Sequence, residues 1–161
     1  MKTLRLACSI VLLQLLCLSP ALAQGNNEQQ ITQVMNRQFN KPQAPLSVTP
    51  ISVEGDYAVA GWLQDGRGGR TLLQRYKQQW AIAVCGGSGL TQASVLESIG
   101  MTRDAAGRLA RAVVAAEGRL STDKRQLFDG FEGMVKVAAR AAQGAHAGPG
   151  QHAGHGPSVA K

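Results

Sequence analysis

The chain has 161 residues, of which 44% are hydrophobic and only 4% aromatic; that is one domain's worth of chain, with a core of Val, Leu, Ile and Ala. The net charge of +7 comes from bases interspersed with acids, with no basic run, so the charge pattern does not suggest a polybasic arm. All three histidines lie in the final stretch QGAHAGPGQHAGHGPSVAK, which leaves the body without the usual neutral-pH general base.

Residues 1–23 read as an export signal. Lys2 and Arg5 form a positive start, LACSIVLLQLLCL an apolar core, and ALA before Gln24 a small-x-small cleavage site. The apolar run is short for a membrane span. Leu16 precedes Cys17 where a lipoprotein site would want a small residue, so no lipid anchor is expected. Removing Lys2 and Arg5 leaves 15 basic against 10 acidic residues, a net charge of +5. Export places the protein in the periplasm and argues against a nucleic-acid partner. It also removes Cys8 and Cys17, so Cys85 is left without an intrachain partner in an oxidising compartment.

The domain is expected over residues 24–142. Ile31, Val34, Met35 and Phe39 recur at helical spacing, with Asn26 or Asn27 as cap, and KPQAP ends that helix. LSVTPISVEG alternates until Pro50 breaks the phase, which marks an edge strand or two pieces about a bulge. YAVAGWLQ alternates cleanly, with Tyr57, Val59, Gly61 and Leu63 on one face and Ala58, Ala60 and Trp62 on the other. DGRGGR reads as a hairpin turn, since it lacks the Gly-Lys-Ser/Thr ending of a phosphate loop. RTLLQRYKQQWAIAVCGG reads as a hairpin turning near KQQ, with Trp80, Ile82 and Val84 on one face and Ala81, Ala83 and Cys85 on the other.

Helical patterns follow. TQASVLESIG is a short helix capped by Thr91 and closed by Gly100. The next is capped by Thr102, with Asp104 in its first turn and Leu109, Val113, Ala116 and Leu120 on its apolar face. A further helix carries Leu127, Phe131, Val135 and Ala138 along one stripe, with Phe128 beside it. Residues 143–161 are Gly/Ala/Pro/His-rich, a composition that predicts disorder. The expected fold is α+β: an antiparallel meander of three to four strands, an N-terminal helix, and two to three C-terminal helices packed on one face.

Four residues are candidate metal ligands. Gly-rich links separate His146, His152 and His155 by six and three residues, which lets the three imidazoles converge on one ion. Imidazole suits Cu(II), Zn and Ni, and Cu(II) binds most tightly of the divalent series. Ordering a flexible tail weakens such a site, which suits capture and hand-off; an idle spacer is the plainer reading. Cys85 offers a thiolate suited to Cu(I), or else is a small inert residue buried under the helices. Met35, Met101 and Met134 fit core positions. Ser88 and Cys85 have no His partner nearby, and nothing argues for an enzyme.

Three pieces are particular: P-x-x-V-x-G-D-Y-A-V-A-G-W from Pro50, G-x-G-G-R-x-L-L from Gly66 and W-x-I-x-V-C-G-G from Trp80. With the Ala/Arg helix and FDGFEGMVKV that follow, the chain from Ile31 to Val137 resembles the copper uptake system-associated proteins, a family of small exported bacterial proteins. The resemblance implies a periplasmic accessory of copper uptake or homeostasis. Its ligand would be a copper ion and its partner an inner-membrane copper transport protein, touched peripherally. The competing expectation is a scaffold domain of such a complex that binds no metal itself.

Overall fold

The computed structural model describes residues 20–137, with side chains from residue 25. The order is α1 (Pro20–Phe39), β1 (Ser47–Glu54), β2 (Tyr57–Gln64), β3 (Arg67–Tyr76), β4 (Gln79–Gly86), a 3-10 turn (Ser88–Thr91), α2 (Ala93–Ser98), α3 (Arg103–Glu117), α4 (Thr122–Asp129) and β5 (Met134–Lys136). The fold is α+β, as the patterning indicates, but the sheet has five strands in the order β1-β2-β3-β4-β5, all antiparallel. The expected signal segment to Ser19 and the expected tail lie outside the described residues.

Short turns hold the meander together. Asp65 and Gly66 both take positive φ, 51° and 69°, in the β2–β3 turn, and Lys77 and Gln78 do so in the β3–β4 turn. Two consecutive positive φ values match the right-handed strand twist that a two-residue hairpin requires.

Each sheet face has its own helices. Ile31 and Met35 of α1 pack on Ala58, Ala60, Leu73, Trp80 and Ile82. Leu46, Val48, Ile51 and Val53 join that face. Val48 and Ile51 share it because the β1–β2 register shifts between them, at the Pro50 bulge. On the reverse, Val59, Leu72 and Val84 meet Leu96, Leu109 and Val113 of α2 and α3. The C-terminal helices thus share one face, and the N-terminal helix covers the opposite one.

Three local readings are corrected. Asn26 and Asn27 do not cap α1, which begins earlier; Asn26 accepts from Gln30, one turn on, and Asn27 from Arg75. Gln92 rather than Thr91 precedes α2, because the Thr91 hydroxyl donates back to Ser88 inside the 3-10 turn. The last stripe, Leu127–Phe131–Val135, is not one helix: α4 ends at Asp129 with Gly130 as cap, and Gly133 takes φ +74°. The chain there lies so close to Gly87 that a Cβ on it would be 2.4 Å from the Phe131 carbonyl oxygen. Turned by the two glycines, residues 134–136 pair with the edge of β4. Thr102, by contrast, caps α3 as read, its hydroxyl accepting from the Ala105 N–H.

Candidate functional site

Cys85 sits near the end of β4, opposite Thr71 of β3 and Val135 of β5. Simple alternation places it with Ala81 and Ala83, away from Trp80, Ile82 and Val84. The structure reverses that. Leu72 and Leu73 are adjacent, yet they pair with Val84 and Ile82, so Ala83 is an extra residue in β4. The bulge sends Val84 to the α2–α3 face and Cys85 to the α1 face with Trp80 and Ile82. A one-residue slip flips every later side chain.

The thiol is partly buried, and Sγ lies 3.5 Å from Thr71 Oγ1. Burial pushes the Cys85 pKa up, and the Thr71 hydroxyl offsets part of that rise. At neutral pH the thiol form dominates, which slows both metal capture and alkylation. Alkylation of the folded protein is therefore expected to be slower than that of a free thiol at pH 7 and to accelerate toward alkaline pH. Thr71→Val should raise the pKa further and slow the reaction more. A pH series of iodoacetamide labelling read by mass spectrometry checks this; a rate equal to that of free cysteine at neutral pH would refute it. Because the folded pKa is raised, the linked stability is present below the unfolded thiol's value of about 8.5 and is lost as pH rises beyond it.

The methionines divide between the two faces. Met101 is buried among the helices of the opposite face, and Met35 of α1 is buried in the cluster against which Cys85 packs. Met134, read as core, is 46% exposed on β5 and leans over Gly86 and Gly89. Among the described residues no three His, Cys, Asp or Glu side chains form a metal-binding group. His146, His152 and His155 lie outside the described residues.

Two open depressions flank the sheet. A cleft of about 570 Å3 at the β2–β3 turn has walls of Trp62, Phe131 and Leu127, with Lys41, Arg67 and Glu132 contributing charges. Trp62 and Phe131 meet edge to face at 6.0 Å. Their approach depends on Gly69, where a Cβ would lie 2.8 Å from the Trp62 ring. A second groove of about 360 Å3 is lined by Ala81, Ala83, Tyr76, Ile99 and Lys136. The small-residue face read from the sequence therefore does form a groove, with Cys85 on its reverse.

The most unusual group is one that the sequence reading passed over as a turn arginine. Arg70 is 2% exposed and Glu117 5%. Arg70 Nε and Nη2 donate to the two Glu117 carboxylate oxygens, each at 2.7 Å, and Nη1 donates to Asp129 at 2.8 Å. Its guanidinium also lies 5.6 Å from the centre of the Phe128 ring. Burial alone disfavours the Arg70 charge; the hydrogen bonds to Glu117 and Asp129 outweigh it and raise its pKa. The sequence holds one hint: Arg70 alternates with Leu72 in a strand, so both point the same way. The network bolts α3 and α4 to β3.

Together these features define a small α+β domain with one shielded thiol, two open grooves and a satisfied ionic core. No family model, curated protein or solved structure matches the chain.

Proposed function

We propose that this is an exported accessory protein of copper uptake or homeostasis. It binds copper weakly through His146, His152 and His155 and passes the ion to an inner-membrane transport protein. The observation carrying this reading is that every imidazole of the chain sits in one Gly-rich terminal segment, at spacings that let all three reach one ion. The resemblance of residues 31–137 to copper uptake system-associated proteins supplies the metal. The described residues end at Val137, whose N–H donates to Ala83, in the strand that carries Cys85, at 2.9 Å. No helix among the described residues is long and apolar enough to cross a membrane; contact with the transport partner is peripheral in this reading.

The test is a calorimetric titration of Cu(II), and of Cu(I) under reducing conditions, into the chain from Gln24. Parallel titrations use a form ending at Gln143 and a Cys85→Ser variant. Micromolar binding that disappears in the truncated form and persists in Cys85→Ser is expected. Loss only in Cys85→Ser would move the site to the thiol. Binding by none of them would replace copper handling with the scaffold reading.

A further inference from the structure

We propose that the outward face of α3, with the elbow leading into α4, docks on an anionic phospholipid surface. α3 turns Ala106, Leu109, Ala110, Val113 and Glu117 toward the sheet. At 3.6 residues per turn its opposite side carries Arg111 and Ala115, followed by Arg119, and all three are exposed. Arg111 lies back along the helix, where a Cβ at Gly107 would be 3.4 Å from its Nη1. In the elbow, Arg125 folds onto the Leu120 carbonyl and the Thr122 hydroxyl, and Lys124 is exposed beside it.

Most neighbouring carboxylates are already committed, and the exposed Asp104, in the first turn of α3, acts on Arg108. Glu117 and Asp129 bind Arg70, Glu97 meets Arg103, and Glu54 holds Arg108. None of Arg111, Arg119, Lys124 and Arg125 has a carboxylate partner among the described residues, and Asp123 is the one acid within the elbow. Four cations, Arg111, Arg119, Lys124 and Arg125, against the nearby acids Asp104 and Asp123 leave the patch net positive.

Its shape favours lipid over an acidic protein. The surface is the outside of a helix, and both grooves lie elsewhere. Between the cations stand Ala112, Ala115 and Gly118, with Val114 57% exposed at the flank. There is no aromatic anchor of the kind that dominates protein interfaces. A row of cations around a shallow aliphatic residue fits a plane of phosphate headgroups, to which the charges are attracted and against which Val114 is sheltered from water. The inference does not depend on metal binding.

Co-sedimentation of the full chain from Gln24 with phosphatidylcholine vesicles, with and without phosphatidylglycerol, tests it. Binding is expected only to the phosphatidylglycerol vesicles and should fade as salt shortens the screening length. The Arg111→Ser/Arg119→Ser/Lys124→Ser variant should lose at least about tenfold in partitioning. A control, Arg37→Ser/Lys77→Ser/Lys136→Ser, removes the same charge elsewhere and should retain binding. All six positions are exposed, and matching circular dichroism spectra establish that both variants fold. Equal loss in the two variants would overturn the proposal, as would indifference to phosphatidylglycerol, or binding to polyglutamate but not to vesicles.

Discussion

Replacing Arg70 with methionine is expected to destabilise the domain by about 3–5 kcal/mol, because it strands the buried Glu117 carboxylate without a counter-charge. Glu117 is 5% exposed and receives two of the three Arg70 hydrogen bonds, so water has little access to the orphaned group. The pair itself is a different matter. Removing two charges together often costs little, since neither then has to be taken out of water. The double variant Arg70→Met/Glu117→Leu should therefore recover most of the stability lost by the single one. Urea unfolding followed by the fluorescence of Trp62 and Trp80 measures both. A loss below about 1 kcal/mol for Arg70→Met, the range of exposed pairs, would show that the network is solvated. Asp129, whose side chain is 53% exposed, belongs to that weaker class, and Asp129→Asn should cost much less than Arg70→Met.

Phe128→Ala should cost about 3–5 kcal/mol, the range for emptying a large buried aromatic site. Phe128 is fully buried, and its ring occupies the space over Gly61, where a Cβ would lie 2.8 Å from ring carbons. The same ring lies under the Arg70 guanidinium, so its removal also loosens the ionic network. Leu127→Ala, one residue away, should cost less than about 1 kcal/mol, because Leu127 is 37% exposed. The contrast is informative: the stripe drawn from helical spacing runs through Leu127, and the structure turns α4 so that Phe128 is inward. Equal losses for the two variants would show that α4 is rotated from the orientation described.

Where periodicity was unbroken, the sequence was readable. Tyr57–Gln64 alternates without a fault, and its two sets of residues lie on opposite faces as drawn. The α3 pattern placed its cap, its first-turn acid and its buried Leu109 and Val113 correctly. It failed at interruptions. Ala83 adds one residue to β4, and nothing in WAIAVCGG says which residue is the extra one; the pairing with Leu72 and Leu73 decides it. The 127–135 stripe failed because spacing ignores the glycines at 130 and 133 and the open edge of β4 that residues 134–136 complete.

The candidate site divides in the same way. His146, His152, His155 and the lone Cys85 are properties of composition and can be read without a fold. The thiol's surroundings depend on the bulge, which moved it from the Ala81–Ala83 groove to the α1 face beside Thr71. Glu54 and Asp56, at the β1–β2 turn, each meet an arginine distant in sequence, Arg108 and Arg75.

By itself, then, the sequence determined the class of fold, the strand and helix order as far as Asp129, and the segregation of all imidazoles beyond the domain, because these follow from local periodicity, turn residues and composition. Only the tertiary structure decided which face each residue after Ala83 occupies, that the chain closes the sheet with a fifth strand, and that Arg70, Glu117 and Asp129 meet. Those outcomes rest on contacts between segments far apart in the chain, where register, close backbone approach and the cost of an unpaired buried charge prevail over any local preference.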